Sequence, residues 1–271
     1  MRHAWLIIAH NEFTVLQWLV AALDHPQSDI YVHIDRKVEQ MPSLQVGQGR
    51  LFLLEQRMDV RWGSVSQIAV ELLLLETALQ NGPYAHYHIL SGVHLPLRPV
   101  DTLMALYDAH VEETLARFWP EDEGDADFKL RRYHFPLRHY KCGSPLQRRI
   151  CQRTWQAVIK VQKVLGIRHL KQKKFVKTDN WISLAEPACR YLVAQKASIL
   201  RTYRWSFCGD EYFAISELLA LPGRFRVTDC PDLLFVEFEG DTPKTFFLKD
   251  LPALQQKPFY WARKFTGADA D

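Results

Sequence analysis

The residues of this chain that could do chemistry fall into three groups. Asp35 closes an apolar run, Ile30–Ile34, and precedes Arg36 and Lys37. A carboxylate at the carboxyl end of a buried strand sits where open α/β sheets bind ligands, and it can accept from a ribose hydroxyl or a base N–H. Its structural alternative is a turn-starting Asp paired with Arg36. Asp210 and Glu211 form the second group, in Cys208-Gly209-Asp210-Glu211-Tyr212-Phe213, where a helical pattern begins. Acids in a first helical turn commonly serve only the macrodipole, so spacing alone leaves their role open. The third group is cationic: Lys244 and the pair Arg263-Lys264. Lys and Arg can neutralise a diphosphate where no metal does so.

A divalent ion at a pyrophosphate needs closely spaced carboxylates. Asp35-Arg36-Lys37 lacks the second acid. Asp125-Ala126-Asp127 has the spacing but reads as part of a polar loop, and Asp269-Ala270-Asp271 is a tail. The five Cys are scattered, with no CxxC, so neither a zinc site nor a disulfide framework is indicated. No metal and no cofactor are expected. Trp62, beside Gly63, could line a pocket or pack at a strand-to-helix turn. His10 and His33 stand at strand ends, whereas His86 and His88 alternate within a strand and read as structural.

The elements that must hold these residues alternate. Trp5–Ala9, Ile30–Ile34, Leu51–Leu54 and His86–Leu90 read as strands. Phe13–Leu23, Ser64–Leu79 and Val100–Tyr107 have apolar residues at helical spacing. Alternation of this kind predicts an α/β fold with a mostly parallel sheet flanked by helices. Residues 112–127 look like an acidic loop. Further helices are expected over Pro187–Leu200 and Glu211–Leu221, and strands over Trp181–Leu184 and Leu233–Phe238. With 271 residues and no repeat or low-complexity linker, one domain over residues 1–271 is the simplest organisation.

The formal charge of +3 is small, but its distribution is uneven. No Asp or Glu lies between Asp127 and Asp179, a stretch rich in Arg and Lys. Such a block points to an anionic partner, either a membrane surface or a phosphorylated molecule. Within it, about residues 129–178, Pro145–Leu165 reads as an amphipathic helix. Ile150, Ala157, Val158, Val161, Val164 and Leu165 make the face expected to pack, with Arg149, Arg153, Lys160 and Lys163 opposite. No nucleic-acid-binding motif occurs, and a hydrolase lacks its G-x-S-x-G. The apolar run Ala4–Ala9 is too short for a signal-peptide core or a membrane span. A cytoplasmic protein is expected, peripheral at the inner membrane if the basic block meets lipid.

Seven blocks in this order and spacing carry a resemblance: Ala4–Glu12, Ile30–Lys37, Val60–Gln67, His86–Leu97, Asp179–Leu184, Gly209–Phe213 and Thr242–Phe265. Together they resemble the core-2/I-branching β-1,6-N-acetylglucosaminyltransferase family, which includes peptide O-xylosyltransferases and bacterial members acting on surface polysaccharides. The resemblance implies a GT-A-like fold and an inverting, metal-independent transfer of a sugar (GlcNAc or xylose) from a UDP-sugar to a saccharide or glycolipid acceptor. It places the catalytic base on Glu211, a nucleotide contact on Asp35, and the diphosphate on Lys244 and on Arg263 or Lys264. Trp62 and His10 then fall on the donor side; Trp181, His94 and Asp210 fall on the acceptor side. His94 stands where members usually carry Asp, which leaves donor and acceptor preference open. A non-catalytic relative that binds a nucleotide sugar or an anionic glycan is the alternative. An inverting displacement needs one base and a positive clamp, and a Glu with an ordinary pKa of about 4.3 can serve as that base.

Overall fold

The computed structural model describes residues 1–240 and 242–268, so the Asp269-Ala270-Asp271 tail lies outside the described residues. Its main sheet contains β1 (His3–Ala9), β2 (Ser28–Ile34), β3 (Arg50–Leu53) and β4 (His86–Ser91). After the short β5 (Leu95–Pro96), the sheet is completed by β6 (Glu113–Ala116), β7 (Ser183–Ala185) and β8 (Arg226–Asp229). The order is β3-β2-β1-β4-β7-β6-β8. The pairs β1–β2, β1–β4, β2–β3 and β6–β8 are parallel, while β7 is antiparallel to both β4 and β6. One strand therefore runs against the other six, and the sheet is mostly parallel as predicted.

A near-continuous apolar run forms β1, and every residue of β2 and β4 is buried, because both sheet faces are covered. Side chains alternate between two cores. Ala4, Leu6, Tyr31, Tyr87 and Ile89 face one; Trp5, Ile7, Ile30, Val32 and Leu90 face the other. The second core is closed by α1 (Phe13–Ala22) and the first by α2 (Ser66–Leu79). Then come α3 (Val100–Asp108) on the α1 side, α4 (Glu123–Leu130), α5 (Pro145–Val164), α6 (Glu186–Ala194), α7 (Lys196–Thr202) and α8 (Phe213–Leu219). Near the C-terminus lie β9 (Leu234–Phe235), β10 (Phe238–Glu239), β11 (Thr242–Pro243), α9 (Leu251–Gln255) and β12 (Trp261–Ala262). There β12 pairs with β5 and β9 in a separate three-stranded sheet, and the Phe265 N–H donates to the Val93 carbonyl, just past β4, at 3.0 Å.

Five expectations change. Residues 112–127 are not a loop: they hold β6 and the start of α4, whose N-terminus Asp122 caps by accepting from the Asp125 N–H at 2.9 Å. The pattern misses β6 because only four residues pair, and their neighbours are acidic. Glu211 does not begin an α-helix; it ends a 3₁₀ turn, Gly209–Glu211, and α8 starts at Phe213. Pro187–Leu200 divides into α6 and α7, and Leu233–Phe238 into β9 and β10.

The fifth change concerns α5, which has the expected span but packs by a different face. Cys151, Trp155, Ile159 and Gln162 are buried, while Ile150, Ala157, Val161, Val164 and Leu165 are exposed and Val158 is half-buried. Trp155 decides the orientation. Its ring lies against Tyr140, Phe207 and Phe128 with centroids 5.2–5.9 Å apart, and its N–H donates to His134 at 3.0 Å. Gln162 is tolerated inside because it bonds the backbone N–H and C=O of Tyr133, each at 2.8 Å.

Candidate active site

The carboxyl ends of β1, β2 and β4 meet at one rim. Gly92 sits there against Ala9: a Cβ on Gly92 would lie 2.8 Å from the Ala9 Cβ, so no side chain fits. The Asp35 N–H donates to the Ala9 carbonyl at 2.9 Å, which fixes its carboxylate at the strand end. That carboxylate accepts from the backbone N–H groups of Lys37 (2.8 Å) and Val60 (3.1 Å) and from Lys37 Nζ (2.6 Å). Its ion-pair partner is Lys37, not Arg36. Lys37 also reaches Asp59 at 3.0 Å, so the Asp59–Arg61 loop is tied to β2. His10 is exposed beside this group. Partial enclosure, then the Lys37 and Lys264 cations, hold its pKa below the ordinary imidazole value despite Asp35.

Across the rim the Glu211 side chain is 32% exposed, and Lys129 Nζ donates to its Oε2 at 2.7 Å. Among the described residues no hydrogen bond reaches Oε1. Lys129 comes from α4, where Asp125 lies 3.2 Å from its ammonium. Burial opposes the charge of Lys129, but Glu211 and Asp125 raise its pKa well above the ordinary lysine value. Asp125 also accepts from Lys177 at 2.7 Å and the Tyr212 hydroxyl at 2.6 Å. Asp127 turns instead to Arg132 and Arg168. The Asp-x-Asp carboxylates thus lie on a helix and face different cations. Among the described residues no group of three or more His, Cys, Asp or Glu is placed to hold a metal ion.

Asp210 turns inward beneath Glu211. Its Oδ2 accepts from the Gln67 and Asn180 amides at 3.1 and 3.2 Å, and Oδ1 has no partner among the described residues. Burial, then the neighbouring Glu211, pushes its pKa up to about 7. Asp210 therefore supports the turn rather than reaching an acceptor. The same Gln67 accepts from the Gly63 N–H at 2.6 Å, and the Gly63 carbonyl accepts from the Cys208 N–H at 2.9 Å. These bonds join the Trp62-Gly63 turn to the turn bearing Glu211. Gly63 has φ +72°, and a Cβ there would strike Phe207 at 2.9 Å, so glycine is required on both counts.

Trp62 is exposed and stacks on Tyr140 at 5.7 Å, with Lys141 Nζ 3.4 Å from its ring centroid. Partial enclosure and the nearby Lys264 lower the Lys141 pKa. Lys264 is thus close to both His10 and Lys141, where donor-side charge was expected. Arg263 lies over the Trp181 ring at 5.1 Å. Burial brings its pKa down to about 10, although Asp179 and Glu211 favour its charge. Asp179 is itself held by Arg117 and the Trp119 N–H. His94 is fully buried at 4.9 Å from Trp181, its Nδ1 bonded to Ser91. Burial and Arg263 keep His94 neutral, with a pKa well below the ordinary value. It packs behind Trp181 and has no exposed surface for an acceptor. The Lys244 ammonium pairs with Glu237 at 2.9 Å on the surface and lies 5.9 Å from the ring of Phe246, whose N–H donates to the Lys264 carbonyl at 2.8 Å.

Of the residues predicted from sequence, the structure brings Asp35, His10 and Lys264 together. It also brings Glu211, Asp210, Trp181 and Arg263 together, and joins Trp62 to both groups. Lys129, Lys141 and Gln67 were not predicted. Lys129 and Lys141 carried no distinguishing signal in a long cationic stretch, and Gln67 reads as an ordinary helix residue.

A mostly parallel α/β sheet flanked by helices is consistent with a GT-A-like fold. A profile of the core-2/I-branching enzymes matches residues 3–225. The chain belongs to that family, and its members are glycosyltransferases. No curated protein matches the chain in a sequence search. The matched region holds Asp35, Trp62, Trp181, Asp210 and Glu211, and it ends before Lys244, Arg263 and Lys264. No described helix is long and apolar enough to cross a membrane.

Proposed function

We propose that the protein transfers a sugar from a UDP-sugar, GlcNAc first and xylose second, to a hydroxyl of a saccharide or glycolipid acceptor, with inversion and without a metal. Bacterial surface polysaccharide is the setting this reading fits. The observation that carries it is the Glu211 carboxylate, which is partly exposed, held on one oxygen by Lys129, and open on the other. An acceptor hydroxyl approaching Oε1 gives up its proton as its oxygen bonds to the sugar C1. The bond from C1 to the diphosphate breaks on the opposite side. The departing negative charge falls to Lys264 and Lys141, with Asp35 holding the nucleoside end. Arg263 keeps the Trp181 ring in place as an acceptor platform. A positioned base contributes about 10²–10⁴-fold in rate, and pre-placed cations act on charge that develops in the transition state.

The test is transfer from UDP-GlcNAc and UDP-xylose to a panel of saccharides, with the product anomer read by NMR. A β-linked product from an α-linked donor, formed equally well in excess EDTA, is the expected outcome. A retained anomer, or loss of activity on chelation restored by Mn²⁺, overturns the mechanism.

A further inference from the structure

We propose that the outward face of α5 is a docking surface for an anionic lipid bilayer, into which its aliphatic stripe inserts. Leu146, Ile150, Val161 and Val164 are 66%, 57%, 54% and 77% exposed, and Ala157 is exposed among them. At separations of four, seven, four and three residues, these five lie along one line of the helix. They are not the face that packs, because Trp155 and its neighbours hold the opposite side against the protein. A contiguous exposed aliphatic stripe signals a binding surface in a way that scattered apolar residues do not.

Charge names the occupant. Arg149, Arg153 and Lys160 flank the stripe on one side, all exposed and with no ion pair among the described residues. Lys171 and Lys174 follow beyond the helix and are likewise exposed. No acid lies between Asp127 and Asp179. A second copy seated stripe to stripe would set these cations against their own kind. Nucleic acid would gain nothing from the aliphatic line. A bilayer with anionic headgroups satisfies both features at once: the stripe enters the acyl boundary while long cationic side chains reach up to the headgroups. The helix is built to stand without a partner, since Pro145 opens it and Ser144 and Gln147 form a reciprocal capping box. Salt-sensitive adsorption is all the charges alone would give; insertion of the stripe adds a component that salt does not remove.

The surface is independent of the reaction and is tested without it. The full chain is sedimented with vesicles of phosphatidylcholine alone or mixed with phosphatidylserine. Much stronger binding to the anionic vesicles than to the neutral ones is expected, with part of it surviving a salt concentration that screens surface charge. The triple variant Ile150→Gln, Val161→Gln, Val164→Gln removes only exposed groups, so its melting temperature should match the parent. It should lose the salt-resistant fraction, with at least about a tenfold drop in partitioning at high salt. The variant Arg149→Gln, Arg153→Gln, Lys160→Gln should fall, at low salt, to the salt-resistant fraction alone. Equal binding to neutral and anionic vesicles overturns the proposal, as does an apolar variant that partitions like the parent. So does a dimer, seen by light scattering and abolished by the same apolar changes, in a protein that binds no vesicle.

Discussion

The strand β2 carries an aspartate at each end, and the two are used differently. Asp29, near the start, is completely buried and accepts from Arg2, Arg50 and Tyr84. Every direction from which a ligand could approach is taken by protein. Asp35, just past the other end, is also buried and accepts from the Lys37 ammonium and from the Lys37 and Val60 N–H groups, but it lies at the rim beside the exposed His10 and Lys37. Residue type does not separate the two ends. What separates them is the surroundings: Asp29 is tied to two arginines at the start of the strand, whereas Asp35 anchors a loop at the carboxyl rim, where exposed charged groups stand beside it.

The largest effect that would sharpen this contrast is catalytic. Glu211→Gln keeps the shape and the bond to Lys129 but removes the proton acceptor. Transfer should fall by at least about 100-fold, while UDP affinity by calorimetry and the melting temperature stay near the parent. Near-normal turnover would take Glu211 out of the mechanism.

At the closed end, Asp29→Asn should cost about 2 kcal/mol in urea unfolding, because charge-assisted bonds from two arginines are lost, and should leave nucleotide binding unchanged. A pH series separates the ends further. Burial alone would raise the Asp29 pKa, but Arg50, Arg2 and Tyr84 more than offset it and hold it below the ordinary value. A depressed acid stabilises the fold above its unfolded pKa of about 3.9, and that stability is lost as pH falls through the folded value. The parent should therefore lose stability in that acid range more steeply than Asp29→Asn. Parallel curves would deny Asp29 this role.

Smaller effects are expected for the cations of the open end. Lys264→Ala and Lys141→Ala should each weaken UDP by about tenfold and uridine much less, since only UDP carries the diphosphate. Equal losses for both ligands would make them structural. Least affected should be Lys244→Ala, a surface cation already paired with Glu237, with a change under about threefold. A loss as large as that of Lys264→Ala would mean the β10–β11 hairpin closes over the donor.

The central strands were legible in the sequence because a strand buried on both faces is largely apolar: β1 is close to that, and β2 and β4 keep apolar stretches among buried Ser, Asp and His. Resemblance, not pattern, pointed to Glu211, since an acid at a helix start has a sufficient dipolar explanation. The structure weakens that explanation by placing Glu211 before the helix, in a 3₁₀ turn. The outward stripe of α5 was misread because counting aliphatics favours Ile150, Val161 and Val164. One Trp ring with a hydrogen-bond partner outweighs them when the helix chooses its side. Lys141 was illegible because nothing in an aperiodic segment shows which aromatic face a lysine will meet.

The single reversed strand sets an order of assembly. From β1 through β4 the sheet grows by parallel crossovers whose partners lie within the first 91 residues. That half, with Asp35 and Trp62, can form while the rest of the chain is still being synthesised. β7 must then fit between β4 and β6, so His86 waits for Ala185, about a hundred residues later. Lys264 comes later still, carried in by β12. The part that carries Asp35 and the part that carries Glu211 are thus joined by contacts of long sequence separation, which form late. A ribosome releasing this protein finishes the carboxyl rim last, and nascent chains stalled before β7 hold a half-sheet with an open edge at β4.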